Sequence, residues 1–214
     1  MNKLYRIGFY LLGNIILAIG ITLNTKTGMG VSPIISIPYT ISNIWNINFG
    51  FITFVVYSVF VGIQFLLKGK KRELRDLLQI PYGFAFGMFL NVFSAIMDIT
   101  YTAFWQQLII LAAAIIVTAI GVSMMVNMHF VPNPADGLAQ AIGLKINKDM
   151  GFGKNMVDCF SVASSLVIGL ISVGQPLAFG IGTIGAMIGV GRCIALFNKF
   201  FKDKMCELAG MQTA

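Results

Sequence analysis

Apolar positions along the chain gather into six runs, at about 7–23, 49–67, 79–97, 107–128, 156–173 and 176–197. A helix rises about 1.5 Å per residue, so each run can cross roughly 30 Å of hydrocarbon. Polar or mixed segments separate them at 24–48, 68–76, 98–105 and 129–155, with a short turn at 174–175. The pattern predicts an all-α polytopic membrane protein with six spans and both termini on one side. The first run follows Lys3 and Arg6 but has no small-residue cleavage site after it, so it reads as a span, not a signal peptide.

Two shorter apolar stretches, 34–44 and 135–144, fall inside the polar segments and are too short to span. Each opens with a helix-start signature. Ser32 and Asn133 are suitable N-caps, and Pro33 and Pro134 follow at the first helical position, where a missing N–H costs nothing. Two readings stay open for this pair: surface helices, or half-helices that re-enter the bundle from opposite sides.

A shift that carries Pro33 onto Pro134 also carries Gly20 onto Gly121, Ile41 onto Ile142, Asn46 onto Asn147, Gly50 onto Gly151 and Phe51 onto Phe152. One residue more carries Gly83 and Gly87 onto Gly185 and Gly189. The chain therefore reads as one integral membrane domain of two three-helix repeats, 1–97 and 98–214, each with a short helix, read as a re-entrant half-helix, in its long polar segment. An odd number of spans per repeat inverts the second half relative to the first, a construction recurrent in secondary transporters.

Composition sharpens this reading. Hydrophobic residues make up 57% of the 214, charged ones 11%, and the mean hydropathy is +0.84; nucleic-acid-binding and disulfide-scaffold classes are excluded. The net charge of +7 reports orientation: all basic residues except Lys26 fall before the first span, after the second, after the fourth or in the last span and tail. Basic loops stay in the cytoplasm, so both termini are expected there. Trp45 and Trp105 fall near span ends on the opposite side, where indoles favour the headgroup layer. Cys159, Cys193 and Cys206 have neither disulfide nor metal-ligand spacing. His129 near Met124, Met125 and Met128 is set aside as a copper site, since methionines are abundant; no metal and no cofactor is expected. Phosphate-loop, zinc-protease and serine-hydrolase motifs are missing, which argues against an enzyme.

The candidate chemistry lies at the paired helix starts. If Ser32, Pro33 and Ser36 meet Asn133, Pro134 and Asp136 at one cavity, free N–H groups and partial positive charge from two helix ends suit an anion or a carboxylate-bearing solute. Asp136 would compete for those groups, and offers instead a place for a proton or a substrate amine. Asp158 lies inside the fifth run, where an ionised carboxylate at the bilayer centre costs about 2.5–3.5 kcal/mol. It is an ion-coupling candidate with Asp136, or else a partner for Lys154 one turn earlier. Asp98 reads as interfacial, and Asn14, Gln64, Asn91 and Asn127 as hydrogen-bonding links between helices.

The stretches Gly28-Met-Gly-Val-Ser-Pro33 and Asn133-Pro-Ala-Asp136, with the basic 68–75 loop and the following Leu77-Leu-Gln-Ile80, resemble the YczE/YyaS/YitT membrane proteins of bacteria. That family often carries a Pro-Trp-Asp element after the first span. Here Pro33 is followed by Ile34 and Ile35, while the second copy keeps Pro134 and Asp136, so one of the two acids is missing. The resemblance implies a bacterial inner membrane location and a transporter-like character, without a substrate. The expected function is a small secondary transporter with a central solute site at the repeat interface. A substrate-capture subunit of a vitamin-type uptake system and a passive channel remain alternatives. The expected partners are the solute and the lipid bilayer, with no nucleic acid; the GxxxG faces also leave a homodimer open.

Overall fold

The computed structural model describes residues 2–99 and 101–211. These form eight α-helices: α1 (Asn2–Lys26), α2 (Pro33–Trp45), α3 (Phe49–Lys68), α4 (Gln79–Ile96), α5 (Phe104–Asn127), α6 (Pro134–Lys145), α7 (Met150–Val173) and α8 (Ile181–Leu208). Two short 3-10 turns, Gly69–Lys71 and Leu74–Leu78, join α3 to α4. Six helices are long and apolar enough to cross a membrane, all but α2 and α6, and the protein is a multi-pass membrane protein. Many large apolar side chains, among them Ile109, Phe160, Ile171 and Ile188, face outward; a lipid environment removes the penalty that water would impose on them.

The two short helices begin as the sequence predicts, with Ser32 and Asn133 at the caps and a proline first in each helix. Behind them, Asn46 and Asn147 both adopt a left-handed backbone, at φ 50° and 54°. Asparagine tolerates that conformation better than most residues, which lets the chain reverse into the next span. The reversal ends alike in both halves. Asn48 caps α3 by accepting from the Phe51 N–H, and Asp149 caps α7 by accepting from the Phe152 N–H. The last two spans differ from the hydropathy runs: α7 starts at Met150, and α8 starts at Ile181 and continues to Leu208. Mixed polar sequence supports helix there once one face is packed, which a hydropathy window does not register.

α1 and α5 cross at the centre of the bundle. A Cβ on Gly20 would strike Thr118, and one on Gly121 would strike Leu17. The shift that relates Gly20 to Gly121 also relates Leu17 to Thr118, so the two contacts are equivalent. Around this crossing, α2 packs chiefly on α7, while α6 packs on both α3 and α7, so each short helix touches a span of the other half as well as one of its own. The buried core joins Leu17, Ile21, Ile35, Tyr57, Phe86 and Leu138.

The polar residues inside spans divide by role. Asn91 ties α4 to α3 by accepting from the Gly50 N–H at 2.8 Å and donating to the Asn48 side chain at 2.7 Å. Asn127 donates to Asn198 of α8 at 2.8 Å. Asn14 bonds only within its own helix, to the Tyr10 carbonyl, and the Gln64 amide finds no hydrogen-bond partner among the described residues. Asp98 is exposed, 3.8 Å from Lys26.

Candidate functional site

The helix pairs α3–α4 and α7–α8, whose glycines the sequence shift carries onto one another, are packed differently. Gly50 and Gly87 bring α3 and α4 into backbone contact: a Cβ on either would run into the carbonyl oxygen of the other. Their counterparts are apart. The nearest atoms at Gly151 belong to the Asp149 side chain, and those at Gly189 to Ile115 of α5. α3 and α4 pack along one another, whereas α7 and α8 scarcely touch.

The space between α7 and α8 is a cavity of about 510 Å³. Leu17 and Ile21 of α1, Thr118 and Val122 of α5, and Met187, Val190 and Ile194 of α8 supply most of its apolar wall. Its polar wall comes from Ser32, Asn133, Asp136, Asp149, Lys154, Asn155 and Asp158. Ser32 and Pro33 begin α2, and Asn133 and Asp136 begin α6, so the starts of both short helices line the same cavity. Asp158 lines it too. Ser36 does not: its buried hydroxyl donates back to the Pro33 carbonyl at 2.8 Å. Pro134 is buried and outside the lining.

The two helix starts are electrostatically unlike. At α6 the Asn133 side-chain oxygen accepts from the Ala135 N–H at 3.0 Å, and its amide donates to the Tyr57 hydroxyl at 3.4 Å. Asp136 adds a carboxylate to the first turn, favourable at the positive end of a helix. At α2 the Ser32 side chain makes no capping bond; its backbone N–H donates to Asn24 of α1 at 2.6 Å. One first-turn N–H is therefore taken at each start, that of Ala135 by the Asn133 side chain and that of Ile35 by the Ser32 carbonyl at 3.1 Å.

Lys154 pairs with Asp136, Nζ to Oδ1 at 2.9 Å, and not with Asp158. Asp158 sits two turns into α7, is 8% exposed, and has neither a salt bridge nor a hydrogen bond to its side chain among the described residues. Sequence reasoning missed Asn24, Tyr57 and Asp149. The repeat holds a signal for two of them: Tyr57 and Asn48 fall on Asp158 and Asp149 under the shift that relates Pro33 to Pro134.

A larger recess, about 890 Å³, lies between the 66–76 segment and α6 and contains none of the candidate residues. Lys68, Lys70, Arg75 and Lys145 line it, with Lys68 bonded to Asp76 at 2.8 Å. Among the described residues no three His, Cys, Asp or Glu side chains stand together to hold a metal ion. A match over residues 4–199 shows that the chain belongs to a family of unknown function, DUF6198. No curated protein matches it, and neither does any solved structure.

Proposed function

We propose that the protein is a small secondary transporter that moves a solute through the cavity between α7 and α8 by alternating access. The observation that carries this reading is the unequal packing of two equivalent helix pairs around one cavity. Gly50 and Gly87 close α3 on α4, while Gly151 and Gly189, their counterparts, leave α7 and α8 apart. Two inverted repeats can exchange conformations, so closure of α7 on α8 with opening of α3 from α4 would expose the same site to the other side. Several features support such a repeat: the reciprocal contacts Gly20–Thr118 and Gly121–Leu17, the paired left-handed Asn46 and Asn147, and the crossed packing of α2 and α6.

In this reading α2 and α6 are re-entrant half-helices whose starts frame the site, and Asp136 and Asp158 hold the solute or a coupling ion. The bias of basic residues supports a cytoplasmic beginning of α7, and in this reading the cavity opens inward. The setting is a bacterial inner membrane, and kinship with the YczE/YyaS/YitT proteins belongs to the same proposal.

Uptake into proteoliposomes containing only this protein tests the proposal. Gly151→Leu, which adds a side chain to the cavity wall facing α8, is expected to abolish uptake in a protein that still folds, because closure would drive the new side chain into α8. Uptake unchanged in that variant would refute alternating access. Single-channel currents would identify a channel, and uptake that requires a second, ATP-hydrolysing complex would identify a capture subunit.

A further inference from the structure

We infer that the cavity takes a small monovalent organic cation, a protonated amine on an apolar body, with its ammonium group on Asp158. This deepens the transporter reading, and rests on it only for the claim that the ligand is moved. Three carboxylates line the cavity, Asp136, Asp149 and Asp158, against one basic side chain, Lys154. Lys154 is committed to Asp136 at 2.9 Å, which neutralises that pair. Asp149 is exposed at the start of α7, where it caps the Phe152 N–H. Asp158 is left over: more than nine-tenths buried, on the cavity wall, and without a partner among the described residues. A carboxylate so placed is stable only when a positive charge or a proton accompanies it.

The size and chemistry of the walls narrow the choice. A space of about 510 Å³ far exceeds a bare ion. A divalent metal wants several oxygen ligands, and no three suitable acids stand together. Quaternary ammonium groups are held by aromatic cages, whereas Phe152 is the one aromatic side chain on this wall among the described residues. An N–H-bearing ammonium fits instead, since it donates hydrogen bonds to the carboxylate while Leu17, Ile21, Val122 and Met187 cover its apolar body.

The test is binding to the full chain, purified in detergent, of three probes of similar shape: 2-phenylethylamine, 3-phenylpropanoate and 2-phenylethanol. The amine is expected to raise the unfolding temperature and to bind at least about tenfold more tightly than the acid or the alcohol. Asp158→Asn is expected to reduce amine binding to the level of the alcohol, and Asp158→Glu to retain part of the preference. Equal or tighter binding of the acid or alcohol, no binding of any probe, or an amine preference unchanged in folded Asp158→Asn would each overturn the inference. Should that variant fail to fold, the wild-type series decides alone. Tight amine binding without uptake into proteoliposomes would sink the transporter proposal and leave this inference standing.

Discussion

Lys154 stands one helical turn before Asp158 on α7, yet it crosses to α6 and bonds Asp136 at 2.9 Å. Asp136 is the more buried partner, with 8% of its side chain exposed against 40% for Lys154. The choice of partner follows from where the charges lie. Asp136 sits at the start of α6, buried where that helix packs on α3 and α7, so it takes the nearest ammonium. That leaves Asp158 on the cavity wall without a partner among the described residues.

Removing one member of that pair is expected to cost more than removing both. Asp136→Asn should lower stability by about 1–3 kcal/mol, below the 3–5 kcal/mol of a fully buried pair because Lys154 is partly exposed. Lys154→Met should cost at least as much, since it strands the more buried charge. The double variant should recover part of the loss. Thermal unfolding of the four proteins measures the coupling, and strict additivity would mean the pair contributes nothing.

The two glycines at equivalent positions should respond in opposite ways. Gly50→Ala puts a Cβ into the Gly87 carbonyl, and overpacking of this kind costs about 1–3 kcal/mol. Gly151→Ala meets only the Asp149 side chain and is expected to leave stability unchanged or slightly raised, as alanine favours helix. Comparing the unfolding temperatures of the two variants checks this; equal losses would contradict the difference in packing.

The helix caps should differ as well. Asn133→Ala removes an acceptor for the Ala135 N–H and the bond to Tyr57, for an expected loss of about 1–2 kcal/mol. Ser32→Ala removes no capping bond and should stay within about 0.5 kcal/mol. A large loss at Ser32, read by thermal unfolding without ligand, would show that its hydroxyl holds α2 in place.

Orientation is testable without a substrate. Reporter fusions at both termini are expected to be active only in the cytoplasm, and a cysteine placed in the 98–103 segment should react with a membrane-impermeant reagent from outside. External labelling of the 68–76 loop instead would invert the topology and make the cavity open outward.

Much of the fold was legible because its signals are local. Hydropathy over about twenty residues marked the spans, and Ser32-Pro33 and Asn133-Pro134 marked two helix starts that the structure reproduces. The ends of α7 and α8 were harder to read, since Met150–Asn155 and the stretch beyond Phe197 are too polar for a hydropathy window yet remain helical. Within the site, Asp136 and Asp158 were identifiable as acids in apolar surroundings. Tyr57 carries no such signal of its own, although the shift that relates Pro33 to Pro134 carries it onto Asp158.

The sequence by itself determined the six apolar spans, the two short helices and the residues at which those two begin. Each depends on neighbours within a few turns or on composition, which the chain carries wherever it folds. Only the tertiary structure decided that Asp136 takes Lys154, that Asp158 stands on a cavity wall without a partner among the described residues, and that α3 closes on α4 while α7 stands off α8. Those outcomes depend on distances between residues far apart in the chain, and identical glycines at matching positions are compatible with either packing.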